Sequence, residues 1–336
     1  MEKAAQQRWD LLTKPQGSLG SLEELGIRLA GMTGKELPCI QRKVIFTVAG
    51  DHGVVEEGIS SYPQSVTVQM VDNFLKGTAA INVLASHAGA EVIVVDAGVA
   101  SPIPQRDGLV SCKIRFGTGN MTREPAMRPG EAVQAVEAGL QVFRRTHQAN
   151  PIHLVGLGDM GIGNTTASAA LTAVLTGREP SEVTGRGTGL QDAQLLHKVS
   201  VIQKALRLHH PNPSDPLDCL AKVGGLEIGC LAGITLAAAE ARVPVVLDGF
   251  ITSAAALLAC RIVPEARHYL IASHQSVEPG HVIQLNELGL KPLLNLGMRL
   301  GEGTGAALAF SLIEASVRLL GGMATFGEAG VDTKIR

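Results

Sequence analysis

The stretch Ile152-His153-Leu154-Val155-Gly156-Leu157-Gly158-Asp159-Met160-Gly161-Ile162-Gly163-Asn164-Thr165-Thr166 decides the fold. A short apolar run feeds a glycine-rich loop, and from about Thr165 a helix of small residues follows. That order is half of a parallel α/β unit. It recurs along the chain. Lys43-Val44-Ile45-Phe46-Thr47-Val48-Ala49 ends in Gly50-Asp51-His52-Gly53, and Glu91-Val92-Ile93-Val94-Val95 ends in Asp96-Ala97-Gly98. Pro244-Val245-Val246-Leu247 leads into Asp248-Gly249, and His268-Tyr269-Leu270-Ile271-Ala272 into Ser273-His274-Gln275-Ser276. Strands that are apolar throughout are covered on both faces. The expected fold is α/β: a mainly parallel, doubly wound, Rossmann-like sheet flanked by helices. Ligands of such sheets sit beyond the carboxyl ends of the strands. The loops at 50–53, 96–98, 156–166, 248–253 and 273–281 all gather there.

The chain ends read differently. Residues 1–32 are helical in pattern, broken at Lys14-Pro15-Gln16-Gly17-Ser18-Leu19-Gly20, with Ser21 and Glu24 spaced as a capping box. Val66 to Ala88 reads as helix. After Lys291 a helical pattern returns, broken by Gly301-Glu302-Gly303-Thr304-Gly305. A large α/β domain over 33–290 is expected, with a small helical domain built from 1–32 and 291–336.

Composition narrows the function. Hydrophobic residues form 45% of the 336, but aromatics only 3%, so the core is filled by Ala, Val, Leu and Ile. Net charge is −2 and there is no basic run, which argues against nucleic acid as a partner. Five scattered cysteines without a CxxC pair point to a reducing compartment, not to disulfides or zinc. The polar N-terminus has no signal core. Gly, Pro or charge interrupts the longest apolar stretches before the roughly 20 residues of a membrane span. A cytoplasmic protein away from the membrane is expected.

The loop at 156–166 carries the first functional signal. Glycines let a ligand approach the backbone, and a helix N-terminus presents free N–H groups to phosphate. No Gly-Lys-Ser/Thr follows, so this is not a Walker loop. Gly156-x-Gly158-x-x-Gly161 matches the dinucleotide fingerprint, a weak match when alone. An oxidoreductase would need an acidic residue closing the next strand; Glu179 and Glu182 lie at suitable distances, but in a Gly/Pro-bearing turn. A second loop, Thr184-Gly185-Arg186-Gly187-Thr188-Gly189, precedes the helix bearing Lys198, so Arg186 and Lys198 are candidate phosphate partners. Glu302 sits between glycines, where a carboxylate either caps a helix or serves as a general base. His274 and His281 are seven positions apart with Pro279-Gly280 between them, which is no metal-binding spacing. No GxSxG elbow is present.

Taken together, these segments resemble a known family over nearly the whole chain. The sequence is similar to the nicotinate-nucleotide–dimethylbenzimidazole phosphoribosyltransferases of cobalamin biosynthesis. Thr13 through Gly20, Ala49 through Val54, Ser60 through Met70, Gly158 through Thr166, Asp248 through Ser253, Ser273 through Ser276 and Arg299 through Ala306 carry the resemblance. It implies transfer of the 5-phosphoribosyl group of nicotinate mononucleotide to 5,6-dimethylbenzimidazole, giving α-ribazole 5′-phosphate and nicotinate without a metal or cofactor. It places the general base on Glu302. It places the benzimidazole pocket on Gln69 and a serine at Ser60 or Ser61, with Tyr62 and Met160 as apolar walls. Phosphate and ribose would rest on Gly161, Gly163, Asn164 and Thr165, near Gly187, Thr188, Lys198 and Ser276. Asp159 stands where relatives often carry Glu, which retracts the charge by one methylene. A homodimer is implied. A dinucleotide-dependent oxidoreductase and a non-catalytic nucleotide-binding protein are the alternatives, and the latter would tolerate loss of Glu302.

Overall fold

The computed structural model describes residues 1–187 and 189–332. Six strands, β1 (Lys43–Gly50), β2 (Glu91–Gly98), β3 (Leu109–Ser111), β4 (Leu154–Met160), β5 (Val245–Leu247) and β6 (Leu270–Ala272), form one sheet in the order β3-β2-β1-β4-β5-β6. Every pairing is parallel. That is the doubly wound order, and its switch point lies between β1 and β4. In chain order the helices are α1 (Glu2–Leu11), α2 (Ser21–Thr33), α3 (Ser65–Lys76), α4 (Ala80–His87), α5 (Pro129–Ala149), α6 (Asn164–Thr176) and α7 (Pro180–Val183). They continue with α8 (Asp192–His209), α9 (Pro216–Val223), α10 (Leu226–Glu240), α11 (Phe250–Ile262), α12 (Pro279–Leu288), α13 (Thr304–Gly322) and α14 (Phe326–Ala329).

The side-chain alternation of β1 shows how the layers form. Val44, Phe46 and Val48 join a core with residues of α5, α6, α10 and α11, while Ile45 and Ala49 join a second core with α2, α4 and α13. On β4, Val155 and Leu157 face the first core. Gly156 faces the second, where a Cβ would stand 3.0 Å from both Ile45 and Phe310.

This corrects the sequence reading of a long glycine loop. Gly156 and Gly158 are inside β4, and only Gly161-Ile162-Gly163 form the turn into α6. Glycine in a central strand marks a close approach: Gly158 meets the backbone of Glu302 and Gly303, and Gly156 meets the side chains of Ala306 and Phe310 on α13. Two smaller expectations also change. Ser21 does not cap α2; Gly20 is the N-cap, and Glu23, not Glu24, accepts the Leu19 N–H at 2.9 Å. The single helix expected over 66–88 is two, parted by Gly77 in the left-handed region (φ 76°).

The chain ends meet, with α1 packing on α2 and both contacting α13. By length and composition α13 is apolar enough to cross a bilayer. Its Ala306, Ala309, Phe310 and Ile313 instead pack under the sheet. Its Glu314 pairs with Lys43 of β1 at 2.6 Å.

Candidate active site

Where β4, β5 and β6 end, a cavity of about 500 Å³ opens. Of the residues singled out in the sequence, Tyr62, Asp159, Met160, Gly161, Asn164 and Thr165 line it, joined by Gly187, Ser276 and Glu302. Ser60, Ser61, Gln69, Gly163 and Lys198 do not. Ser60 Oγ accepts the Tyr62 N–H at 3.2 Å, next to the rim. Gln69 is exposed on α3, whereas Val66 and Met70, one turn apart, face the cavity. Thr188 lies outside the described residues.

Glu302 is the best-determined group of the site. Its backbone is left-handed (φ 66°), a conformation non-glycine residues rarely adopt, between Gly301 and Gly303 in the same region. Three contacts hold it there. Its N–H donates to the Asp159 carbonyl at 3.2 Å, and its own carbonyl accepts from Thr47 Oγ1 at 2.8 Å. That carbonyl lies where a Cβ on Gly158 would stand, so the strand glycine makes room for the turn that carries Glu302. Its Oε2 accepts the Ile81 N–H at the start of α4 at 3.3 Å. Burial pushes the carboxyl up to about 7; the Ile81 bond opposes this, and the charge of Asp248 adds to it.

The capping role considered for Glu302 belongs to Asp248. From the end of β5, its Oδ2 accepts from Gly303 N at 2.9 Å and its Oδ1 from Gly305 N at 2.7 Å. His274 Nε2 stands 3.5 Å from the same Oδ1. A fully buried carboxylate thus satisfies the first amides of α13 and pins the turn that presents Glu302. Nothing in the local sequence shows this, because Asp248 and Gly303 are 55 residues apart.

Asp159, at the end of β4, accepts from Asn164 Nδ2 at 3.0 Å. Burial first, then the charges of Asp248 and Glu227, hold its carboxyl well above the usual carboxylate range, with the Asn164 bond opposing. The other end of the cavity is built on α6 and the 185–187 loop. Lys198 lies beneath the surface, its Nζ donating to Thr165 Oγ1 at 2.8 Å and to the Gly185 carbonyl at 3.4 Å. Burial lowers it to about 8, and the charge of Glu278 partly restores it. Glu278 accepts the Gly187 N–H at 2.9 Å. Its carboxylate lies against Gly185, where any side chain would collide with it. Arg186, a candidate phosphate partner from its place in the loop, turns out to Asp192 and the Leu190 carbonyl and does not line the cavity. The cation at this end is Arg299, whose Nη1 donates to the Gly187 carbonyl at 3.0 Å.

Glycines at the loop serve packing. A Cβ on Gly161 would strike the Gly50 carbonyl, and one on Gly163 would stand 2.8 Å from Val55. Gly163 is also the N-cap of α6 at φ 95°. Behind them, His281 Nδ1 accepts the Ser276 N–H at 2.9 Å, so its Nε2 carries the proton given to Ser253 Oγ at 3.0 Å. Burial lowers His281 to about 3, and it stays neutral while it orients the Ser276 loop. Among the described residues no group of three or more His, Cys, Asp and Glu is placed to hold a metal ion.

The chain matches the family described as phosphoribosyltransferase over residues 1–331. A nicotinate-nucleotide–dimethylbenzimidazole phosphoribosyltransferase of Chloroflexus aggregans is 56% identical over 331 residues, 98% of this chain and 94% of that one. One from Geobacter sp. strain M21 is 56% identical over 329 residues, with 98% and 94% covered. The crystal structure of CobT from Thermus thermophilus superposes with a TM-score of 0.96 at 49% identity, covering 99% of both chains. The chain belongs to the nicotinate-nucleotide–dimethylbenzimidazole phosphoribosyltransferase family.

Proposed function

We infer that this chain is an enzyme that transfers the 5-phosphoribosyl group of nicotinate mononucleotide to 5,6-dimethylbenzimidazole, releasing nicotinate and forming α-ribazole 5′-phosphate for the nucleotide loop of cobalamin. The observation that carries the reading is a buried carboxylate with its pKa raised to about 7, opening on a cavity with one apolar and one polar end. A leaving pyridinium needs neither metal nor acid. The incoming benzimidazole has to lose its N–H proton, and a base with a pKa near the working pH is suited to take it.

We assign that proton to Glu302 Oε. The flat base would lie against Tyr62, Val66, Met70 and Met160, with Leu300 closing the slot. The phosphate would rest on Asn164, Thr165 and Gly187 at the start of α6, with Arg299 as its cation and Lys198 acting through Thr165. Asp159, its carboxyl held above the usual carboxylate range by burial, would hydrogen-bond the ribose or a water beside C1′. Holding both rings in line across C1′ supplies much of the rate. We take 33–290 as the catalytic domain and 1–32 with 291–336 as the small helical one, in a cytoplasmic homodimer.

The test is direct. Purified protein incubated with nicotinate mononucleotide and dimethylbenzimidazole is expected to form α-ribazole 5′-phosphate, followed by chromatography. Nucleotide binding without product would leave only a binding protein.

A further inference from the structure

A second cavity, of about 970 Å³, lies at the seam between the chain ends and the outer edge of the sheet. It shares no lining residue with the active cavity. Its floor is apolar, with Leu25 and Met32 of α2, Ile271 of β6 and Leu293. Its walls carry five cations, Lys3, Arg28, Arg242, Arg267 and Lys291, against two carboxylates, Glu2 and Glu24. Among the described residues none of the five cations forms an ion pair within 4.0 Å.

Cations scattered over a surface are ordinary, but one of these is fixed by a hydrogen bond and another is brought to the cavity wall by its backbone. Arg28 is half-buried, with Nη2 donating to the Leu270 carbonyl at 2.7 Å on the edge of β6. The charges of Glu2 and Glu24 lie near enough to act on its guanidinium. Arg242 has a left-handed backbone (φ 57°) at the turn after α10, a position that favours glycine. Its Nη1 stands 2.9 Å from where a Cβ on Gly34 would be, so the guanidinium crosses to the end of α2 at the cavity wall. Only His210, Arg242 and Glu302 among the described non-glycine residues have such a backbone. One of them is the proposed base of the active cavity and another lines this one. Strain retained at a cavity wall points to function.

We propose that this cavity is a second binding site, for an organic anion with a flat apolar body and a carboxylate or phosphate. The anion meets Arg28 and Arg242, whose planar forks match either group. The body covers Leu25, Met32, Ile271 and Leu293.

The test is calorimetric titration with 2-naphthoate and with 1-naphthyl phosphate, in the presence of saturating α-ribazole 5′-phosphate, which occupies both the base slot and the phosphate end of the active cavity. One of the two is expected to bind, and which one does distinguishes carboxylate from phosphate recognition. Arg242→Gly removes the guanidinium and suits the left-handed backbone, so the variant should keep or raise its melting temperature while binding weakens about tenfold, the loss expected from one charge-assisted contact. Arg28→Met should weaken binding similarly, and catalytic turnover of Arg242→Gly should match the wild type. The proposal is overturned if neither probe binds at millimolar concentration with the active cavity filled, or if both variants bind as the wild type does.

Discussion

The carbonyl oxygen of Glu302 occupies the space in front of Gly158 where any other residue would carry its side chain. The proposed base is therefore placed by backbone against backbone, with Thr47 and Asp159 supplying the hydrogen bonds that hold it. Its position depends on a strand residue 144 positions earlier having no Cβ at all.

Gly158→Ala should then act on both stability and chemistry. The added methyl forces the 301–303 turn away from β4, and overpacking of this kind costs about 1–3 kcal/mol. A lower melting temperature and at least a tenfold lower kcat are expected. The KM for nicotinate mononucleotide should change less, because the phosphate end rests on α6. An alanine variant with wild-type kcat would show that the turn has no need of this contact.

Glu302 should govern the pH dependence of both activity and stability. As a base it acts only when ionised, so kcat should rise with pH through about 7 and then level off. Glu302→Gln should lower kcat by about 10²–10⁴-fold and flatten that profile while nucleotide binding is retained. The stability sign is the opposite. The folded pKa lies above the ordinary 4.5, so the folded state holds the proton more tightly. Stability from this group is full below pH 4.5 and is lost as pH rises through about 7. Glu302→Gln should raise the melting temperature at pH 8 relative to wild type, with little effect at pH 4. Equal effects at both would place the raised pKa elsewhere.

Asp248→Asn should loosen the start of α13, since an amide offers only one acceptor oxygen to the two N–H groups of Gly303 and Gly305. About 1–3 kcal/mol of stability should be lost with the unmet buried group. Removing the Asp248 charge should also move the rise of the kcat–pH profile to lower pH, because that charge helps to raise Glu302. A purely structural residue would lower stability and leave the midpoint of the profile where it is.

Gly163→Ala separates packing from ligand approach. The new Cβ would sit 2.8 Å from Val55 on a backbone at φ 95°, so about 1–3 kcal/mol of destabilisation is expected. In the protein that still folds, the nucleotide KM should change less than threefold. A large KM change without loss of stability would return Gly163 to the ligand surface.

Much of the architecture was legible in the chain. The apolar runs of β1 and β2 and the strand–Asp–Gly rhythm required a parallel sheet with its ligand side at the strand ends. Tyr62, Met160, Asn164, Thr165 and Glu302, carried over from the family motifs, do line one cavity. Local rules misjudged elements whose meaning depends on what crosses them. Gly156 and Gly158 read as loop because glycine is a poor strand former, yet they are strand because α13 and its preceding turn lie against them. Arg186 read as a phosphate ligand from its place in a glycine loop, but its side chain found Asp192.

By itself the sequence determined five of the six strands and the inventory of groups at their ends, because periodicity and composition are local properties, while β3, α5 and α10 emerged only in the structure. Only the tertiary structure decided which carboxylate caps α13 and which faces the cavity. Asp248 and Glu302 are both acids beside glycines, and they differ because one meets two helix-start amides and the other meets a single N–H inside a cavity. Burial and hydrogen bonding set that difference, and they exist only once β4, β5 and α13 have come together.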